Sequence, residues 1–347
     1  SPPIRIGFSS SDPFDGSDVH VGPGQTHLKI QYAVGNASDG DRIIVHAGTY
    51  EENVVIVNKT LLLTAYGSDV PLVVGNGGVC FNATSMEYDD VSISGFEMRN
   101  CTFGVLFEGV ADAWVNNNVI REFSVIGVST VPTTVYGDVQ CNGNIIISAE
   151  NGVDGIRIHD VYGDVEANNN TIVLTGSGTY GIHVDEVYGD VQCDGNKISC
   201  SCGVYLVKVY NDVQVKNNDI KSYNEAIMVS NEVYGDMEVI GNTIYSSNDC
   251  GVYLYYVYGK TYVNDNEIDA YNDGVYIDEG YCDIQVNGNT ILSRDHEGVY
   301  IWDGYAHVEV SGNTIESDDD GIHVDYAYAG FKAYDNVITS WWSNGIY

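Results

Sequence analysis

The sequence predicts an all-β chain, a single-stranded parallel β-helix with about 24 residues per coil and a short capping helix near its start. Three observations predict it. Ten asparagines are each followed two residues later by isoleucine: Asn118, Asn144, Asn170, Asn196, Asn218, Asn242, Asn266, Asn289, Asn313 and Asn336, with partners from Ile120 to Ile338. Nine tyrosines stand eight residues before nine of these asparagines, from Tyr136 to Tyr328. Between these markers run short β-branched segments of alternating polarity, punctuated by Gly, Asn and Asp.

Each unit reads Gly-Val/Ile-x-Val/Ile/Leu, then Val-Tyr-Gly-Asp-Val-x-Val, then Asn-x-Ile, which gives three short strands and three turns. Coils that hydrogen-bond to one another at about 4.8 Å place like residues above one another. The asparagines can then pass amide hydrogen bonds up the stack, and Asn tolerates the left-handed backbone of a corner. The isoleucines form an inward column. The tyrosines form another column, read as a partly buried corner stack that stiffens the rod.

Towards the start, Leu28, Ile30, Ala33 and Val34 recur at mostly helical spacing between His27 and Ala37. A short helix here would plug the end of the coil and cover its edge. The stretch Gly40-Asp41-Arg42-Ile43-Ile44-Val45 continues into Gly48-Thr49-Tyr50-Glu51-Glu52-Asn53-Val54, and Val91 to Phe96 follows later. On these motifs the chain resembles, from residue 26 to 347, the right-handed β-helix proteins of the pectin-lyase-like superfamily. Its nearest resemblance is to archaeal cell-surface proteins of S-layers or sheaths. The superfamily also contains lyases, hydrolases and adhesins, so the resemblance speaks for fold rather than function. The organisation expected is an N-terminal extension over 1–25, a capping helix with the first coils over 26–77, and regular repeats over 78–347, continuous with 26–77.

The net charge of −35 comes from 49 acidic and 14 basic side chains. It argues against nucleic acid and anionic membranes as partners and favours divalent cations or positive surfaces. No apolar run reaches the roughly 18 residues of a membrane span. The first residue is Ser1, which suggests a processed chain and an extracellular, cell-surface setting. Sequons at Asn36, Asn58, Asn82, Asn100 and Asn169 agree mildly with that setting. Of the eight cysteines, Cys141 and Cys193 read as small buried apolar residues, and Cys80 with Cys101 is the pair best placed for an internal disulfide. Cys202, Cys250 and Cys282 fall at corners, where they could bond to a neighbouring molecule.

In β-helix enzymes resembling this chain, long loops wall a substrate against one strand stack. Here the repeat spacing leaves no loop long enough to do so, and an enzyme is the less favoured reading. The outward positions of the opening strand hold Arg157, His159, His183, Asp185, Tyr205, Met228, Tyr253, Tyr255, Tyr276, Asp278, Tyr300, Trp302, His323 and Asp325. Tyr253, Tyr255, Tyr276, Tyr300 and Trp302 would form a sugar-binding or interface strip. Asp278 and Asp325, two coils apart, approach the roughly 6.5–9.5 Å separation of an inverting glycosidase, with His323 beside them. The bland reading is an exposed strand with its preferred residue types. A lyase would need a base and cation-binding groups that the strip, with Arg157 as its one non-histidine cation, supplies poorly.

No cofactor is called for, with one reservation. Asp138, Asp164, Asp190, Asp212 and Asp236 share one position in five successive coils. Neighbouring charges at that spacing repel by about 0.9 kcal/mol in water. Either each carboxylate accepts turn N–H groups or calcium sits along the row. Asp318, Asp319 and Asp320 read as a solvated turn. The sequence ends one strand into a coil, at Gly345-Ile346-Tyr347, and an uncapped edge would favour pairing with another chain. The expectation is an extracellular structural rod that assembles with itself in a surface layer or sheath. The alternative is a carbohydrate-binding or polysaccharide-degrading β-helix.

Overall fold

The computed structural model describes residues 13–86 and 89–347. Strand β1 (Asp18–Val21) is followed by one helix, α1 (Ile30–Asn36), and then by β2 (Arg42–Val45) and a continuous solenoid. Three parallel sheets form its faces, with fourteen, thirteen and twelve strands, and successive strands of one coil step from sheet to sheet. Strands Val191–Asp194, Lys197–Cys200 and Cys202–Val209, for example, make one coil, one strand to each sheet. From β2 onward the longest connection between strands is residues 130–138.

Helix α1 buries Ile30, Ala33 and Val34 against the first coils, as its apolar spacing requires. Its first two amides, at Ile30 and Gln31, donate to the Glu52 carboxylate at 3.0 and 2.9 Å, which satisfies donors that a helix start leaves open. The segment 1–25, expected as an extension, contributes β1, which pairs in parallel with β2 through Asp18–Arg42 to Val21–Val45.

The isoleucine column is in register from Ile120 to Ile338, each residue opposite the next. The column is buried as far as Ile315. The coil-opening glycines exist because this column packs against them: a Cβ at Gly274 would stand 2.2 Å from Ile291 Cγ2 and 2.6 Å from the Gly298 carbonyl oxygen.

The asparagines form the predicted ladder. Each of the first nine donates from Nδ2 to Oδ1 of the next at 2.9–3.2 Å. The same Oδ1 accepts the backbone N–H of the preceding rung. One expectation is corrected by a residue. The left-handed backbone lies at the position before each rung (Asn117, Gly143, Asn169, Gly195, Asn217, Gly241, Asp265, Gly288, Gly312 and Asp335), with φ between 53° and 69°. That is why only Asn, Gly or Asp occurs there.

The tyrosines also stack in one column. Eight successive ring pairs from Tyr136 to Tyr328 lie 4.5–6.1 Å apart between centroids and within 14° of coplanar. The rings lie on the outside of the rod, with Tyr136, Tyr188, Tyr234, Tyr305 and Tyr328 exposed, so the column is wetter than a corner core.

Candidate functional site

The outer face of the twelve-stranded sheet brings the predicted strip together in two files. In one file Arg157, His183, Tyr205, Met228, Tyr253, Tyr276, Tyr300 and His323 face their successors in register. The other file lies two residues further along each strand. There His159 opposes Asp185, and Tyr255, Asp278, Trp302 and Asp325 follow one another next to paired inward residues. Trp302 therefore separates Asp278 from Asp325, which stand two strand spacings, about 9.6 Å, apart.

The aromatic groups are ordered against one another. Tyr276 and Tyr300 stack at 4.9 Å and 5°, Tyr253 meets Tyr276 edge-on at 5.0 Å, and Trp302 meets Tyr300 at 6.1 Å. Tyr255 turns instead onto Tyr256, at 4.1 Å. Burial, followed by the charge of Asp278, pushes the Tyr253 phenol up to about 12, and the same causes raise Tyr276.

The two carboxyls of the glycosidase reading have unlike surroundings. Burial, then Glu279 and Asp303, raise Asp278. Asp325 accepts the Tyr300 hydroxyl at 2.9 Å through Oδ2 and faces His323 Nε2 at 3.1 Å through Oδ1. The described depressions of the surface lie elsewhere, one beside α1 and one bordered by Asn100, Glu122 and Glu150.

A third column flanks the strip, and sequence reasoning missed it. It consists of the residue before each coil-opening glycine or alanine: Asp154, Tyr180, Cys202, Glu225, Cys250, Asp273, Glu297 and Asp320. The signal was available as an acidic residue or cysteine before Gly or Ala in seven coils, but its changing identity concealed it. The Cys202 thiol donates to Glu225 at 3.9 Å and the Cys250 thiol to Asp273 at 3.6 Å. Burial, then the adjoining Glu297 carboxyl, push Asp273 up to about 7. His323 Nδ1 lies 3.4 Å from Glu297 Oε1 and 3.3 Å from Asp320 Oδ2. Asp320 therefore belongs to this cluster and is buried, not a solvated turn.

The aspartate row makes the turn hydrogen bonds of the first of its two expected forms. Asp138, Asp164, Asp190, Asp212 and Asp236 each accept, through Oδ1, the backbone N–H of the equivalent residue one coil on, at 2.8–3.2 Å. Asp90 and Asp112 extend the row toward the N-terminus. These bonds offset the repulsion between neighbouring charges.

The cysteine expectations need one correction. Cys202 and Cys250 are buried, which removes them from reach of a neighbouring molecule, while Cys282 is exposed. Cys141 and Cys193 are buried, and burial pushes both thiols up to about 12. Cys80 and Cys101 are free thiols in hydrogen-bonding contact, which with burial raises Cys101.

Residues 180–338 match the protein family described as right handed beta helix region. The chain is a right-handed parallel β-helix. Over 105 residues it is 33% identical to a cell surface glycoprotein of Methanothermus fervidus, a match that spans 30% of this chain and 17% of that protein. Among solved structures, the A-module of the mannuronan C-5 epimerase AlgE6 from Azotobacter vinelandii aligns over 92% of this β-helix and 93% of its own chain. Its TM-score is 0.43 and its identity 13%. A mannuronic acid specific polysaccharide family 6 lyase from human gut microbiota aligns over 94% and 91%, with TM-score 0.42 and 10% identity. Likenesses this slight carry no argument about the chemistry of this β-helix. Among the described residues, no helix is long and apolar enough to cross a membrane.

Proposed function

We propose that this chain is an extracellular structural protein, a rigid acidic β-helical rod that assembles with itself in a cell-surface layer or sheath. The observation that carries this reading is the bare, ordered aromatic face of the twelve-stranded sheet. Tyr276, Tyr300 and Trp302 stand half-buried or exposed in contact with one another, and no connection from β2 onward exceeds nine residues (130–138). A flat aromatic patch without walls suits a second rod better than a small substrate. The resemblance to a cell surface glycoprotein over 105 residues points the same way. With a net charge of −35, assembly would need divalent cations between rods to screen repulsion.

The second reading is glycan binding or cleavage on the same strip, favoured by the unlike surroundings of Asp278 and Asp325. One experiment separates the two. Sedimentation and electron microscopy at rising protein concentration, with calcium or with chelator, should show ordered filaments or sheets that Tyr276→Ser with Trp302→Ser weakens. A protein that stays monomeric throughout, yet releases sugar from acidic polysaccharide and loses that activity in Asp278→Asn, would replace the structural reading with the enzymatic one.

A further inference from the structure

We propose that Glu297, Asp320 and His323 bind one divalent transition ion of the zinc class, with His323 Nδ1 as its nitrogen ligand. This site is independent of whether the rods assemble. One ligand atom from each of the three lies within 4.8 Å of the others.

The distances carry the argument. His323 Nδ1 is 3.3 Å from Asp320 Oδ2 and 3.4 Å from Glu297 Oε1. The Nδ1 atom is buried and makes no hydrogen bond. A buried ring nitrogen between two carboxylate oxygens, bonded to neither, lacks the partner its surroundings are shaped for. The edge of a tetrahedron around zinc, with bonds of about 2.0–2.1 Å, is about 3.3–3.4 Å long. The nitrogen thus stands one tetrahedral edge from each carboxylate oxygen, and the ligand atoms of the three residues all lie within 4.8 Å of one another.

The surroundings orient the same atom. His323 Nε2 faces Asp325 Oδ1 at 3.1 Å, and Asp325 also accepts the Tyr300 hydroxyl at 2.9 Å. A proton held on Nε2 by that carboxylate leaves the Nδ1 lone pair directed at Glu297 and Asp320, the arrangement that metal-binding histidines commonly use. Asp320 is fixed through its other oxygen, which accepts the Asn344 N–H at 2.7 Å, so Oδ2 remains for the ion. Asp273, whose Oδ1 takes the Glu297 N–H at 3.2 Å, forms a second, separate group with Glu297 and His296. An imidazole with two carboxylates selects a zinc-class ion over calcium, which takes six to eight oxygens. The aspartate row on the other corner differs in kind, because it repeats carboxylates alone, each taking a backbone N–H through Oδ1, with no imidazole among them.

The test uses the full chain, stripped with chelator and titrated with zinc chloride by calorimetry. One ion per chain is expected. Binding should weaken at least tenfold in His323→Ala and in Glu297→Gln, and about ten- to a hundredfold in Asp325→Asn, which disturbs only the orienting carboxylate. Asp164→Asn, in the aspartate row, should leave it unchanged. X-ray absorption at the zinc edge of the wild-type protein should show one imidazole nitrogen with oxygens at about 2.0–2.2 Å, and decides the matter even where a variant fails to fold. The proposal is overturned by absent binding, by equal binding in a folded His323→Ala, by a shell of oxygen or sulfur alone, or by stoichiometric displacement with calcium.

Discussion

Replacing Asn218 by alanine removes a rung from the middle of the asparagine ladder, and the structure sets what that should cost. The Asn218 side chain is about 1% exposed and takes part in four hydrogen bonds. Its Nδ2 donates to the Cys193 carbonyl and to Asn242 Oδ1, both at 2.9 Å. Its Oδ1 accepts the Asn196 N–H at 2.8 Å and Asn196 Nδ2 at 2.9 Å. At about 0.5–1.5 kcal/mol net for each bond, the loss is about 2–6 kcal/mol, toward the upper end because the Asn196 N–H is left buried and unpaired. Asn336→Ala removes three bonds from a half-buried rung, where water can replace them, and should cost about 1–2 kcal/mol. A solenoid couples mainly to its nearest neighbours, so the readout should be local. Native-state hydrogen exchange in Asn218→Ala should speed the Asn196 amide by roughly a hundredfold or more, while the amides of β2 keep their protection. An Asn196 amide unchanged in rate, or a uniform loss along the whole rod, would refute the idea that the ladder holds adjoining coils together.

Two further predictions concern the other columns. Partial desolvation within the ring stack, then Tyr210 and Glu186, push the Tyr188 phenol up to about 12. In the folded rod it therefore stays protonated where the unfolded chain, with its ordinary value near 10, ionises. The stabilisation is full below pH ~10 and is lost as pH rises through about 12, so tyrosinate absorbance and loss of strand signal should rise together in that window. Independent ionisation near pH 10 without unfolding would contradict the stacked column. In the aspartate row, Asp164→Asn keeps the oxygen that accepts the Asp190 N–H at 2.9 Å and removes a repelling charge. Melting at low salt should show it equal to or more stable than the wild type, by up to about 2 kcal/mol from the two neighbouring charges, whereas Asp164→Ala should lose about 0.5–1.5 kcal/mol. If calcium raised the wild-type melting temperature and failed to do so in Asp164→Asn, the row would be a cation site instead.

Much of this architecture was legible because a parallel solenoid turns sequence period into spatial columns. Ile120 to Ile338 and Asn118 to Asn336 stack as their spacing requires. What the period could not supply was depth and local twist. Five of the nine tyrosines lie at a turn between an inward valine and a glycine, and the repeat alone does not say which way a turn residue points. They face outward. The left-handed corner was placed one residue late for a related reason. Asparagine is common at both positions, but only the preceding one alternates with glycine and aspartate, from Asn117 and Gly143 to Asp335.

The cluster around His323 was hidden by the same regularity. In a stack of near-identical coils, a residue that recurs faces its own copy and can do only what copies do together: share amide bonds, stack rings, pass N–H groups along a row of carboxylates. Chemistry with a distinct ligand needs unlike groups side by side, so it must arise where a column changes residue type. The column before the coil-opening residues changes from Asp154 through Tyr180 and Cys202 to Glu297 and Asp320. The strip beside it changes from Tyr300 to His323 over the same coils. Their shared irregularity brings one imidazole nitrogen to 3.3 and 3.4 Å from two carboxylate oxygens. On a rod of this kind the repeated period explains rigidity, and the departures from it are where binding is to be sought.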